Sequence, residues 1–134
     1  MQKTLLASIF ASTTICLPQP AFSEALRGND LLAMCQMPVT DPDGAYCAGF
    51  IAGVGNGMDL GALIVLGAFN ALDGTDYSPT EAAQAFTNTC TDENVSLGQK
   101  VLVIVKWLED NPAQLHEPAV WLVKQALSDA FPCE

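Results

Sequence analysis

Basic residues are what this 134-residue chain has least of: Lys and Arg number 5 against 15 Asp and Glu, a formal charge of −10. A surface of that sign repels phosphate backbones and anionic headgroups, which excludes nucleic-acid binding, and it steers the chain toward a basic protein partner or simply keeps it soluble. Histidine occurs once, as His116, and no C-x-x-C pair is present, so the usual zinc-ligand spacing is missing. No stretch alternates apolar and polar residues for long enough to signal half-buried strands. Gly53-Val54-Gly55 follows no strand and is not a dinucleotide motif.

What is present begins with an export signal. Lys3 forms a positive n-region, Leu5 to Leu17 an apolar h-region, and Ala21-Phe22-Ser23 an A-x-S cleavage site after Pro18 and Pro20. Cys16 lies inside that apolar run behind Thr14 and Ile15, without the small residues a lipid-anchor signal wants before its cysteine. Cleavage after Ser23 delivers residues 24–134 to the periplasm as one domain of 111 residues, enough for one core and too few for two. It removes Lys3 and no acid, leaving four bases against 15 acids, net −11. The mature chain keeps Cys35, Cys47, Cys90 and Cys133, an even set that reads as two disulfides in an oxidising compartment and permits three connectivities. Each bridge in a domain this small contributes roughly 2 to 4 kcal/mol.

Helical signals dominate. Ser96 caps a helix running to about Asp110, with Gln99 completing a capping box, and its stripe is Leu97, Val101, Ile104, Val105 and Leu108. Pro112 stops it. A second helix opens near Glu117-Pro118 and carries Ala119, Leu122, Val123, Ala126, Leu127 and Ala130 on one face until Pro132. The short connection between them makes the pair antiparallel with facing stripes. Asn29 caps a short helix burying Leu31, Leu32 and Cys35, closed by Pro38, and Ser78-Pro79-Thr80-Glu81 opens another that carries Ala82, Ala85 and Phe86. The expected fold class is all-α, a small disulfide-braced bundle of four to five helices.

The stretch Ala45 to Leu72 is different, because Gly49, Gly53, Gly57 and Gly61 recur every fourth residue. Glycine costs about 1 kcal/mol per helical site relative to alanine, so the pattern implies close backbone packing or a break, for which Gly55-Asn56-Gly57 is the best position. The segment is long enough to span a membrane, and its small-residue spacing suits helix packing there. Asn56 and Asp59 near its middle, and flanks of Asp41, Asp43, Asp73 and Asp76 with no Lys or Arg, favour instead a buried hairpin or bent helix in a soluble core.

Chemistry is poorly represented. A Cys-His pair of His116 with Cys47 or Cys90 conflicts with oxidised thiols, and His116 near a helix start suits capping. The acidic pairs Glu109-Asp110 and Asp92-Glu93 read as solvated. No catalytic residue, cofactor or metal site is assigned. Trp107 and Trp121 lie off the main stripe of their helices, where a large aromatic widens the core or anchors an interface.

A larger pattern then emerges. It runs through Leu31-Leu32-Ala33-Met34-Cys35, Tyr46-Cys47-Ala48-Gly49-Phe50-Ile51-Ala52-Gly53, Cys90, Val95-Ser96-Leu97-Gly98-Gln99, Trp107-Leu108-Glu109-Asp110-Asn111-Pro112, Ala126-Leu127 and Ala130-Phe131-Pro132-Cys133. This resembles the Rap-type, Tai-like immunity proteins of type VI secretion over most of the mature chain. The resemblance implies a small exported helical domain that binds and neutralises a cell-wall-degrading toxin, commonly an amidase. The chain departs from the pattern between Leu60 and Thr89, with a longer apolar insert, and after Cys90, where Thr91-Asp92 replaces proline.

The expected activity is occlusion of a toxin's active site, with no catalysis by the chain itself. Expected contacts are Asp73, Asp76 and Tyr77 after the apolar segment, Asp92 and Glu93, and the Trp107 and Trp121 edge. The alternative is a periplasmic structural or chaperone-like protein with no dedicated toxin, whose glycine-rich apolar segment becomes exposed under stress or pairs with itself; a homodimer is among the expected partners. Alternating helix directions bring all four cysteines to one end of the bundle and favour Cys35–Cys133 and Cys47–Cys90.

Overall fold

The computed structural model describes residues 25–74, 78, 84, 86–92 and 94–133, with the side chains of 71–73 excepted. The export signal and Glu24, most of the capping box at Ser78, and Asp76, Tyr77 and Glu93 lie outside the described residues. Among the described residues four α-helices are delimited and no strand occurs: α1 (Gly28–Cys35), α2 (Pro42–Asp73), α3 (Leu97–Asp110) and α4 (Ala119–Ala130), with a 3-10 turn at Pro112–Gln114 between the last two; Gln84, Phe86 and Thr87 are also helical. The chain is all-α, as its patterning requires.

The C-terminal pair forms as its sequence dictates. Ser96 Oγ accepts the Gln99 N–H at 3.2 Å, which satisfies one orphan donor of α3. Ile104 and Leu108 of that stripe are buried, while Leu97 at its outer end is exposed. In α4, Pro118 occupies the N-cap, and Ala119, Leu122, Val123, Ala126 and Leu127 turn inward while Ala130 stays exposed. Leu31 of α1 and Cys47 and Ile51 of α2 complete the core, against which Phe50, Val54, Met58, Val101 and Trp107 pack.

Helix α1 starts two residues earlier than Asn29 capping implies. Its N-cap is Arg27, because neighbouring chain, not a side chain, satisfies the first donors: the Gly28 N–H donates to Glu117 O at 3.1 Å and the Asn29 N–H to Leu115 O at 3.0 Å. The Ala119 N–H returns to Leu26 O at 2.7 Å, and Arg27 Nη1 reaches His116 O at 2.7 Å. The start of α1 is thereby pinned to the turn between α3 and α4. The approach is so close that a Cβ on Gly28 would press on Leu122 and lie 3.0 Å from the Leu115 backbone.

The glycine-rich segment corrects the sequence expectation twice. It is neither a hairpin nor broken at Gly55-Asn56-Gly57; α2 runs unbroken for 32 residues from an Asp41 N-cap, whose side chain takes the Asp43 N–H at 2.9 Å, to Gly74 in the left-handed region at φ 69°. Nor do its glycines mediate close packing, since a Cβ at Gly49, Gly53, Gly55, Gly57, Gly61 or Gly67 would meet nothing within 4 Å. The reason is length. At 1.5 Å per residue α2 is about 48 Å long, whereas α1, α3 and α4 reach about 12, 21 and 18 Å. Its neighbours cover one face of its first half, and beyond Met58 only Ala62 is buried among the described side chains. Residues Pro42–Asn70 are long and apolar enough to cross a membrane, with a mean hydropathy of 1.6.

Candidate functional site: disulfide frame and exposed surface

The disulfide frame sets which surfaces can be presented. The pairs are Cys35–Cys47, with Cα atoms 5.2 Å apart, and Cys90–Cys133, at 4.9 Å. This overturns the expected Cys35–Cys133 and Cys47–Cys90 pairing. The link from α1 to α2 turns back on itself through Met37 N–H to Met34 O and Asp41 N–H to Pro38 O, so Cys47 arrives beside Cys35 at once. At the other end the Cys90 N–H donates to Phe131 O at 2.8 Å and brings the C-terminal segment to Cys90. The cysteines thus brace two separate junctions.

The Cys90–Cys133 junction has a polar seam. Ser128 is buried, and its hydroxyl reaches Thr87 O at 3.3 Å and Thr89 Oγ1 at 3.1 Å. Phe86 just before it is exposed. The segment leading to Cys90 therefore packs on α4 through hydroxyls more than through aromatic burial.

The two tryptophans take different places. Trp107 is half-buried against the core, and its Nε1–H donates to Asp129 Oδ2 at 2.8 Å, which ties α3 to α4. Trp121 is 66% exposed on α4. An indole left that open adds nothing comparable to the core, and an aromatic of this size on a surface suits the anchor of a binding interface.

Of the expected carboxylates, Asp92 is exposed, and its Oδ1 accepts from both the Asn94 N–H and Asn94 Nδ2, each at 2.7 Å. The backbone bond first, then the side-chain bond, holds its carboxyl below the usual aspartate range. Its negative charge is held by the Asn94 donors. Asp73 closes α2 and its side chain is not described. His116 is exposed, with Nδ1 3.0 Å from Ala113 O and Nε2 3.1 Å from Glu117 Oε1, while Cys47 and Cys90 are in disulfides. The imagined Cys-His pair is not assembled.

The sequence reading missed a groove. Phe50, Gly53, Val54, Gly57 and Met58 of α2, with Val120 of α4, line an open apolar depression of about 440 Å³. The glycine period was its signal, but Val120 joins only through the packing of α4.

A small, acidic, all-α domain braced by two disulfides, with an open tryptophan and an apolar groove, is equipped for protein binding. The chain belongs to the family of Rap1a immunity proteins, whose model matches residues 27–133. That span contains all four described helices and both disulfides. Immunity proteins act by binding a protein toxin, and membership implies an inhibitor that works without catalysis. Neither the curated proteins nor the solved structures yield a significant match.

Proposed function

We propose that this chain is exported, loses residues 1–23 and, in the periplasm, neutralises a cell-wall-degrading effector of the amidase type delivered by type VI secretion. Inhibition is by occlusion: Trp121 anchors the contact, while Asp73, Asp76, Asp92 and Glu93 steer a basic toxin surface toward it, with Tyr77 beside them in sequence. The observation that carries this reading is the family match over residues 27–133, which takes in the whole braced domain. Two disulfides and a formal charge of −10 support an exported, electrostatically steered binder.

The test uses the purified mature protein and a small secreted peptidoglycan amidase encoded beside its gene. Stoichiometric loss of peptidoglycan hydrolysis is expected, with Trp121→Ala requiring at least about tenfold more inhibitor, in line with a central aromatic anchor. Full hydrolysis in the presence of excess inhibitor would reject the proposal. Absence of any neighbouring hydrolase gene would favour the structural or chaperone-like alternative.

A further inference from the structure

We propose that the Cys90–Cys133 bridge is a redox latch: closed, it presents the segment from Gln84 to Asp92 as a toxin-contact surface, and opened by a dithiol it releases that segment while the helical core stays folded. This deepens the toxin-binding reading above and rests on it.

The two bridges lie in different surroundings. Cys47 is 1% exposed inside the core and Cys35 packs against that core, so their bond belongs to the packed interior. Cys90 and Cys133 are both part-exposed, and neither belongs to the core. A small thiol can approach the second bridge from either end, so it is the first to be reduced.

Little besides that bridge holds the segment on α4. Among its described residues only Phe86 and Cys90 are apolar, and Phe86 is 64% exposed. The contacts are polar: Thr89 Oγ1 lies 3.1 Å from Ser128 Oγ, the Ser128 hydroxyl donates to Thr87 O at 3.3 Å, and the Cys90 N–H donates to Phe131 O at 2.8 Å. Bonds of this kind are exchanged for bonds to water at small net cost when a segment lifts away. A stretch with so little apolar burial opens locally before the domain unfolds, unless a covalent tether keeps its end beside α4.

While tethered, the segment has a definite shape. Asn88 occupies the left-handed region at φ 52°, as a residue just past a helix end does, and the Thr89 N–H returns to Gln84 O at 3.3 Å. Phe86 lies exposed before this turn, and Asp92, bonded by its Asn94 donors, lies exposed after it. An open phenyl ring and a held carboxylate on one braced segment fit a protein surface with an apolar pocket beside basic residues. On a released segment the same groups must be ordered at the moment of binding, which costs affinity.

The opening step is thiol–disulfide exchange. A thiolate of the dithiol attacks one sulfur of the bridge, and the other sulfur leaves as a thiolate and takes a proton. The second thiol of the reductant then closes on the mixed disulfide, so the bridge gains two electrons and two protons and the dithiol becomes a disulfide. Exchange with a disulfide oxidant after export runs the same step in reverse. The inhibitor is thus weak where its thiols stay reduced and competent in an oxidising compartment.

Graded dithiothreitol treatment of the oxidised exported protein, followed by alkylation and mass spectrometry, should label Cys90 and Cys133 before Cys35 and Cys47. In that partly reduced species, hydrogen exchange should show lost protection at the Thr89 and Cys90 amides and retained protection at Ile104, Leu108 and Val123. The variant C90A/C133A, assayed against the toxin without reductant, should keep its helical circular dichroism and need at least about tenfold more protein for half-inhibition. Labelling of all four cysteines together, loss of core protection along with the segment, loss of the helical signal in C90A/C133A, or inhibition by that variant equal to wild type would each overturn the proposal. Failure of the oxidised wild type to inhibit would instead reject the toxin-binding reading, and the labelling and exchange order would still decide whether the bridge is a latch.

Discussion

Removing the disulfides pair by pair turns the observed connectivity into measured stability. Cys35–Cys47 closes a loop with a sequence separation of 12 and Cys90–Cys133 one of 43. Loop-closure entropy alone gives about 2.8 kcal/mol for the first and about 4 kcal/mol for the second. Cys47 is 1% exposed in the core, so C35A/C47A also leaves a small cavity worth about 1 kcal/mol, and the two double variants should each lose about 4 kcal/mol. With a urea slope of about 2 kcal/mol per molar, each unfolding midpoint falls by about 2 M, read by circular dichroism at one fixed protein concentration. The decisive readout is alkylation of the native C35A/C47A variant. With the observed pairing it retains Cys90–Cys133 and labels no thiol. Had Cys35–Cys133 and Cys47–Cys90 been the bonds, the same variant would strand two cysteines and lose both bridges, about 8 to 9 kcal/mol by the same reckoning, comparable with the whole stability of a small domain. Two labelled thiols, or a loss below about 1 kcal/mol, would refute the assignment and the energetics respectively.

Three further outcomes follow from particular contacts. Gly44→Ala should cost about 1 to 3 kcal/mol and lower Tm, since a Cβ there would run into the Met37 and Pro38 carbonyls; an unchanged Tm would mean that the turn yields freely. Neutralising Asp73, Asp76, Asp92 and Glu93 together to Asn or Gln should slow toxin association and flatten its salt dependence while leaving dissociation nearly unchanged, measured by stopped flow; equal on-rates at low and physiological salt in wild type and variant would reduce these groups to solvated surface. In an NMR titration Asp92 should ionise below the ordinary aspartate range because the Asn94 donors favour its charged form. Its stabilising effect is then present above the unfolded pKa and disappears as pH falls through the folded one, and an unshifted titration would remove the turn from the argument.

Local chemistry made much of this legible in advance. Ser96 and the stripe through Ile104 and Leu108 describe α3 without reference to anything else, and the face from Ala119 to Leu127 does the same for α4. The start of α1 departs from its local capping signal because its first donors are satisfied by Leu115 and Glu117, almost ninety residues away, and no local rule reports such partners. The tryptophans show the same limit within one residue type: both lie off their stripes, yet Asp129 and the core claim Trp107 while Trp121 stays open.

The sequence by itself determined the helical class, the ends of the C-terminal helices and the likeness to immunity proteins, because caps, prolines, apolar spacing and residue motifs act over a few residues at a time. Only the tertiary structure decided which cysteines meet, since that depends on where chain turns bring distant Cα atoms. It alone revealed that α2 is one helix far longer than its neighbours. The glycine period is the same in a buried hairpin, a membrane span and a free helix face. What distinguishes them is whether other chain lies within reach of the missing side chains, and in a single copy of this protein it does not.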